Sequence, residues 1–233
     1  MTERRGRVPR AAWLRHARQA RGWTQAEAAA HLGVSQSYLS LLERGARGIS
    51  PSRFQVMRRV YDVPATELPL VDVPALAPAR LAAALARLGY PPLAHLRGRT
   101  RLNPATVILG ALRRHDLEAR LTEALPWVAL RCVDLDWTWL LERAKVHDVQ
   151  NRLAYVLALA NELAGQGGHA DASRRLRRLI QTLERSRLAK EDTLCCGAMT
   201  GAERKWLRAR RSRLARHWNL LTDLRTDRLP YAP

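Results

Sequence analysis

The sequence predicts an all-α protein: an N-terminal bundle of four short helices followed by a larger helical C-terminal region. Three observations carry this. Apolar residues recur at spacings of three and four along most of the chain. Ser, Thr or Asn opens many of these runs, and Gly closes several of them. Nothing in the first seventy residues alternates with period two, and Trp127–Val133 is the one segment elsewhere that reads as a short strand.

Taken in order, Trp13, Leu14, Ala17 and Ala20 make the apolar face of a first helix, closed by Gly22. Thr24 stands at an N-cap with Glu27 three residues on, the spacing of a capping box. Ala28, Ala29 and Leu32 follow on one stripe, and Gly33 ends this second helix. Ser35 caps a third helix with Leu39 and Leu42 inward and Gly45 at its end. Ser50 caps a fourth, with Pro51 at its first position and Phe54, Met57 and Val60 inward. Pro64, Pro69, Pro74 and Pro78 then resist a helix, so residues 71–79 read as a semi-extended tether between a domain at 1–70 and a region at 80–233.

Beyond the tether, Ala79–Leu88 reads as a short helix closed by Gly89. Asn103 and Pro104 open another to about Arg114, and Asp116 caps one that stops before Pro126. Leu135–Val146 and Asp148–Ala164 are longer amphipathic stretches, the latter capped by Asp148. Gly165-Gln166-Gly167-Gly168 is a turn and a candidate point of division. Asp171 starts a basic helix to about Leu188, and Thr200 with Glu203 starts a last one to about Trp218. Trp127, Trp137 and Trp139 anchor either a core or a subunit interface.

Charge narrows the function classes. The 233 residues carry 40 Lys+Arg against 21 Asp+Glu, a net +19. The ends hold it: residues 1–70 are net +7, 71–165 net +3 and 166–233 net +9. Such a balance favours a polyanionic partner, nucleic acid first, over an average metabolic enzyme. All but three of the basic residues are Arg, whose planar fork suits phosphate and guanine. No apolar run is long enough to span a bilayer, and Met1–Arg7 has no apolar signal core, so the expected place is the cytoplasm, on the nucleoid when bound to DNA. Three cysteines make no disulfide framework.

The run from Thr24 to Gly45, TQAEAAAHLGVSQSYLSLLERG, resembles the helix-turn-helix of the Cro/repressor-type (XRE-type) DNA-binding domains, with the likeness spanning residues 11–68. It implies a lambda-repressor-like fold whose helix 35–44 enters the major groove with its N-terminal residues at base edges. Gln36, Ser37 and Ser40 lie away from the Leu39/Leu42 face, and Gln pairs well with adenine. Arg44, one turn on, reaches a base or a phosphate. Gln25, at a helix start, favours a phosphate and by the resemblance also braces Gln36. Arg47 and Arg53 track the backbone, and Tyr38 divides between packing and a phosphate contact. Leu41 departs from the family's frequent polar residue. The resemblance also implies an ion pair between Arg18 and Glu43 that holds the third helix in place.

Other chemistry finds little support. His115-Asp116 and His147-Asp148, with His95, His169 and Asp171, suggest metal-dependent phosphohydrolysis only without a motif. Cys195-Cys196 lacks a partner pair at zinc spacing. The expectation is a non-enzyme without cofactor or metal: a dimeric transcriptional regulator, a repressor on an inverted repeat of duplex DNA. Two alternatives stand beside it. One is an antitoxin-type or phage-defence-associated regulator whose C-terminal region binds a protein. The other is an RNA-associated protein using the arginines of 174–178 and 208–216.

Overall fold

A computed structural model describes residues 10–62, 64–96, 100–132 and 134–229. The reading of Met1–Arg7 and the linker's Val63 lie outside these. Two compact units divide between Pro69 and Leu70. The described residues hold twelve α-helices and one pair of two-residue strands, so the all-α class stands.

The first unit contains α1 (Arg10–Gln19), α2 (Gln25–Leu32), α3 (Gln36–Glu43) and α4 (Pro51–Val60). The caps are those of the sequence. Thr24 and Glu27 form a reciprocal capping box, and Ser35 and Ser50 accept from Tyr38 N and Arg53 N. Gly33 closes α2 at φ 63°, a backbone geometry that glycine adopts without Cβ strain. Trp13, Leu14, Ala28, Leu32, Leu39, Leu42, Phe54, Met57 and Tyr61 share one core. Ala20, read as apolar face, is exposed because α1 ends at Gln19.

The second unit contains α5 (Pro78–Leu88), α6 (Pro104–Leu112), α7 (Ala119–Arg131), α8 (Trp137–Val146), α9 (Gln150–Gln166), α10 (Ala170–Glu184), α11 (Gly201–Arg210) and α12 (Arg213–His217). β1 (Asp192–Thr193) pairs in parallel with β2 (Leu220–Leu221). α9 is its axis: Leu153 through Ala160 are all buried, which is how a helix surrounded by others reads. The 165–168 turn joins α9 to α10 as a hairpin inside this one unit, not as a division. Trp127 is buried edge-on to Tyr90, and Trp137 and Trp139 are half-buried against the same core.

Several expectations are corrected here. Residues 71–79 are not a free tether. Val73 and Leu76 are buried, Leu76 N donates to Gly110 O at 3.1 Å, and Thr106 Oγ1 exchanges hydrogen bonds with both backbone groups of Val71. The apolar residues between the prolines seal α6, and that burial outweighs the prolines' extended bias. Pro126 does not stop a helix. It lies within α7, and Trp127–Arg131, read as strand, is helical there. A proline removes one helical hydrogen bond, but Leu121 through Leu130 are buried with a single half-exposed exception, and packing prevails. Val133 lies outside the described residues.

Asp116 and Asp148 are not helix caps. Asp116 Oδ1 accepts from Gly197 N and Ala198 N at 2.7 and 2.8 Å, eighty residues away. Asp148 turns the chain between α8 and α9 with φ 56°, a conformation that Asp tolerates better than most residues. α10 ends at Glu184 because Ser186 and Leu188 are drawn off by the α9 side chains Gln150 and Asn151. The helix from Thr200 breaks at Arg211, where Ser212 caps α12.

Gly110 marks the tightest approach of the segment before α5. A Cβ there would lie 2.6 Å from Leu76 Cδ1 and Cγ. Gly110→Ala is therefore expected to destabilise the second unit by about 1–3 kcal/mol, the usual cost of overpacking. Urea titration followed by circular dichroism measures it. Leu76→Ala introduced in the Gly110→Ala background should recover part of the loss.

Candidate nucleic-acid interface

α3 is a short helix with one face sealed. Leu39 and Leu42 are fully buried, so Gln36 and Ser37 at its start stand exposed, with Ser40 half-buried one turn on. The Ser35 cap holds this first turn, and Ser37 Oγ donates to Ser35 Oγ at 3.4 Å. Gln36 leaves its amide on the surface, with an acceptor and donors together. Arg44 is exposed at the other end, its Nε donating to Ser40 O at 3.3 Å.

Tyr38 has a role the sequence left divided. Its ring is half-buried against the first unit's core. Two exposed guanidinium groups lie over it, Arg53 at 5.0 Å and Arg47 at 5.4 Å from the ring centre. Cation–π contact thus gathers three expected site residues from α3, the following loop and α4. Spacing alone carries no signal of this, since the three come together only when α4 packs.

α3 is held by a buried charge. Glu43 has a side-chain exposure of 0%. Its carboxylate accepts from Arg18 Nε at 2.7 Å and Nη2 at 3.1 Å, a bidentate fork. Arg18 Nη1 donates to Trp23 O at 2.9 Å. Gln25 Nε2 donates to Glu43 Oε2 at 3.0 Å. Gln25 thus reaches Glu43 here, with no hydrogen bond to Gln36. Gln25 spends its amide N–H on the buried carboxylate, where an unpaired acceptor would cost more than one in water. α1, α2 and α3 are joined through this single group.

Electrostatics follow the geometry. Burial pushes the Glu43 carboxyl up, but the hydrogen bonds from Arg18 and Gln25 and the Arg18 charge outweigh it and hold the group below its ordinary value. A carboxyl depressed in the folded state stabilises the fold above its unfolded pKa and ceases to do so as pH falls through its folded value. The first unit is therefore expected to weaken as pH drops below about 4.3, the ordinary Glu value. Glu43→Gln should be less stable at pH 7 and flatter across pH 5 to 3. Amide hydrogen exchange in α1–α3, measured at both ends of that range, checks the slope.

The remaining residues with possible chemistry lie in the second unit. His115, His147 and Asp148 border one cleft of about 480 Å³ with Arg152, Lys190 and Asp192. His147 Nε2 is within 2.9 Å of Asp72 Oδ1, which also accepts from Arg113. Arg152 is bound to Asp192 through both carboxylate oxygens. Among the described residues, no group of three or more His, Cys, Asp or Glu is placed to hold a metal ion. Cys195 is buried, with burial pushing its thiol up to about 11, and burial also raises the exposed Cys196. Neither is in the depressed state of a reactive thiol. No helix among the described residues is long and apolar enough to cross a membrane.

Comparison with known proteins gives one family match. Residues 11–71 fit the model of the helix-turn-helix domain. No curated protein and no solved structure matches the chain. The match spans about a quarter of the sequence and covers most of the first unit, which is therefore a helix-turn-helix domain of DNA-binding type.

Proposed function

We propose that the protein is a sequence-specific transcriptional regulator of the Cro/repressor type, acting as a repressor. It binds an inverted repeat as a dimer. One observation carries the reading: α3 exposes Gln36 and Ser37 at a capped N-terminus while its opposite face and Glu43 are locked into the unit. A helix held this way presents hydrogen-bonding groups to base edges in a fixed orientation, and Gln36 suits adenine. Arg44, Arg47 and Arg53 supply phosphate contacts, with the last two aligned on Tyr38. A single head of this size buries too little surface for tight specific binding, so two heads on half-sites about 34 Å apart are expected. The reading gives the protein no catalytic role and no cofactor.

Selection of duplexes from a random pool by the full chain tests it. The wild-type protein should enrich an inverted repeat. Gln36→Ala with Ser37→Ala should keep normal melting and bind duplex, but lose the wild-type preference by about 1–3 kcal/mol per base pair read. Unchanged target choice in the folded double variant, or a single unrepeated site, contradicts the reading.

A further inference from the structure

The sequence separates two arginine-rich stretches, 174–187 and 204–216, by more than fifteen residues. The fold brings their ends together. His217 Nε2 lies 2.8 Å from Glu184 Oε2, Arg187 Nη1 donates to His217 O at 2.6 Å, and Asn219 Nδ2 donates to Leu188 O at 2.8 Å. The C-terminal ends of α10 and α12 therefore adjoin.

What this junction displays is cationic. Residues 171–217 carry 14 Lys+Arg against 5 Asp+Glu. The carboxylates are already engaged: Asp171 by Arg174, Glu184 by Arg187 and His217, Glu191 by Arg208 and Arg211, and Asp192 by Arg152. Glu203 is taken by the Thr200 capping box. α10 buries Ser173, Leu176 and Leu183, which turns Arg177, Arg178 and Arg185 outward. α12 buries Ala215 and exposes Arg213 and Arg216. None of these five has a carboxylate within ion-pair distance among the described residues. Their exposed charge is not used in holding the second unit together.

We infer that Arg177, Arg178, Arg185, Arg213 and Arg216 form a second, sequence-independent binding surface for the phosphate backbone of duplex DNA. The inference rests on the DNA-binding reading of the first unit for its occupant. Covalent linkage to a helix-turn-helix domain raises the local concentration of duplex at this surface. The residue types favour a duplex over a single strand. The five arginines offer forks for phosphate, and no exposed Trp, Tyr or Phe interleaves with them on α10 or α12 to stack unpaired bases. Trp206, half-exposed on α11, has a guanidinium from Arg210 over its ring.

The test is the salt dependence of duplex binding by the full chain, with the five arginines changed to Gln in one variant and to Lys in another. The probes are the duplex enriched from the random pool and a scrambled duplex of the same composition. The Gln variant should bind both probes at least tenfold more weakly at 0.15 M salt. Its slope of log affinity against log salt should be shallower by about 0.9 for each phosphate that is no longer neutralised. Preference between the probes should stay at the wild-type value, and the Lys variant should keep most of the slope. A wild-type slope in the Gln variant overturns the inference, as does an equal loss in the Lys variant. Tighter binding of single-stranded RNA than of duplex at equal salt also overturns it. If the pool yields no enriched sequence, the regulator reading fails, while the slope on the scrambled duplex still decides the second surface.

Discussion

Arg18→Ala is expected to unfold the N-terminal unit and to abolish its DNA binding in the same step. The variant leaves Glu43, with no side-chain exposure, the Gln25 amide as its remaining side-chain hydrogen-bond donor, and it removes the donor to Trp23 O. Breaking one partner of a buried pair costs about 3–5 kcal/mol, because the remaining charge has neither water nor a counterion. A domain this small lies near the low end of the usual range of about 5–15 kcal/mol, so this loss together with about 1–3 kcal/mol for the stranded Trp23 carbonyl exhausts its stability. Hydrogen exchange followed by mass spectrometry should show α1–α4 deprotected while α9 keeps its protection. Glu43→Gln added to Arg18→Ala should recover part of the stability by removing the stranded charge. A variant that keeps its protection and yet loses DNA binding would place Arg18 at the DNA rather than in the scaffold.

In the second unit the largest effect is expected from Arg152→Ala. This side chain is 7% exposed and sits near the start of the central helix. Its Nε and Nη2 bind the two oxygens of Asp192 at 2.6 and 2.8 Å, and Nη1 donates to Leu112 O and Arg114 O at 2.7 and 2.8 Å. Truncation strands two carbonyls at about 1–3 kcal/mol each, more if no water enters. Asp192 is partly open to solvent and adds less. The total expected loss is about 2–6 kcal/mol, measurable by chemical denaturation. Arg152→Lys should recover little, since an ammonium cannot span a carboxylate and two carbonyls as a planar fork does. Protection should fall first around β1 and β2, because Asp192 lies in β1.

How much was legible depends on how local the cause was. The caps of α2, α3, α4, α6 and α11 are set by a side chain reaching a backbone N–H two or three residues away, so Thr24, Ser35, Ser50, Asn103 and Thr200 were readable. The Arg18–Glu43 pair came from the resemblance rather than from spacing. Gln36, Ser37 and Arg44 were legible as outward residues because Leu39 and Leu42 define the inward face. Asp116, Asp148 and Pro126 misled for one reason: each has a strong local preference that distant partners overrule. Asp116 is claimed by the 197–198 backbone, Asp148 by the bend between two packed helices, and Pro126 by the buried surroundings of α7.

By itself, then, the order of residues determined the helical class, the starts of the capped helices, the outward face of α3 and the basic bias of both ends. Each depends on neighbours within one or two turns, or on composition alone. Only the tertiary structure decided that Gln25 binds Glu43, that Tyr38 aligns Arg47 and Arg53, that residues 70–76 close the second unit, and that two arginine stretches meet at His217. Those outcomes join groups from about 10 to 40 residues apart. Their energies come from contacts between separate segments, a buried carboxylate at Glu43, exposed guanidinium groups over Tyr38 and buried apolar side chains at Val73 and Leu76, which no periodicity within a single segment records.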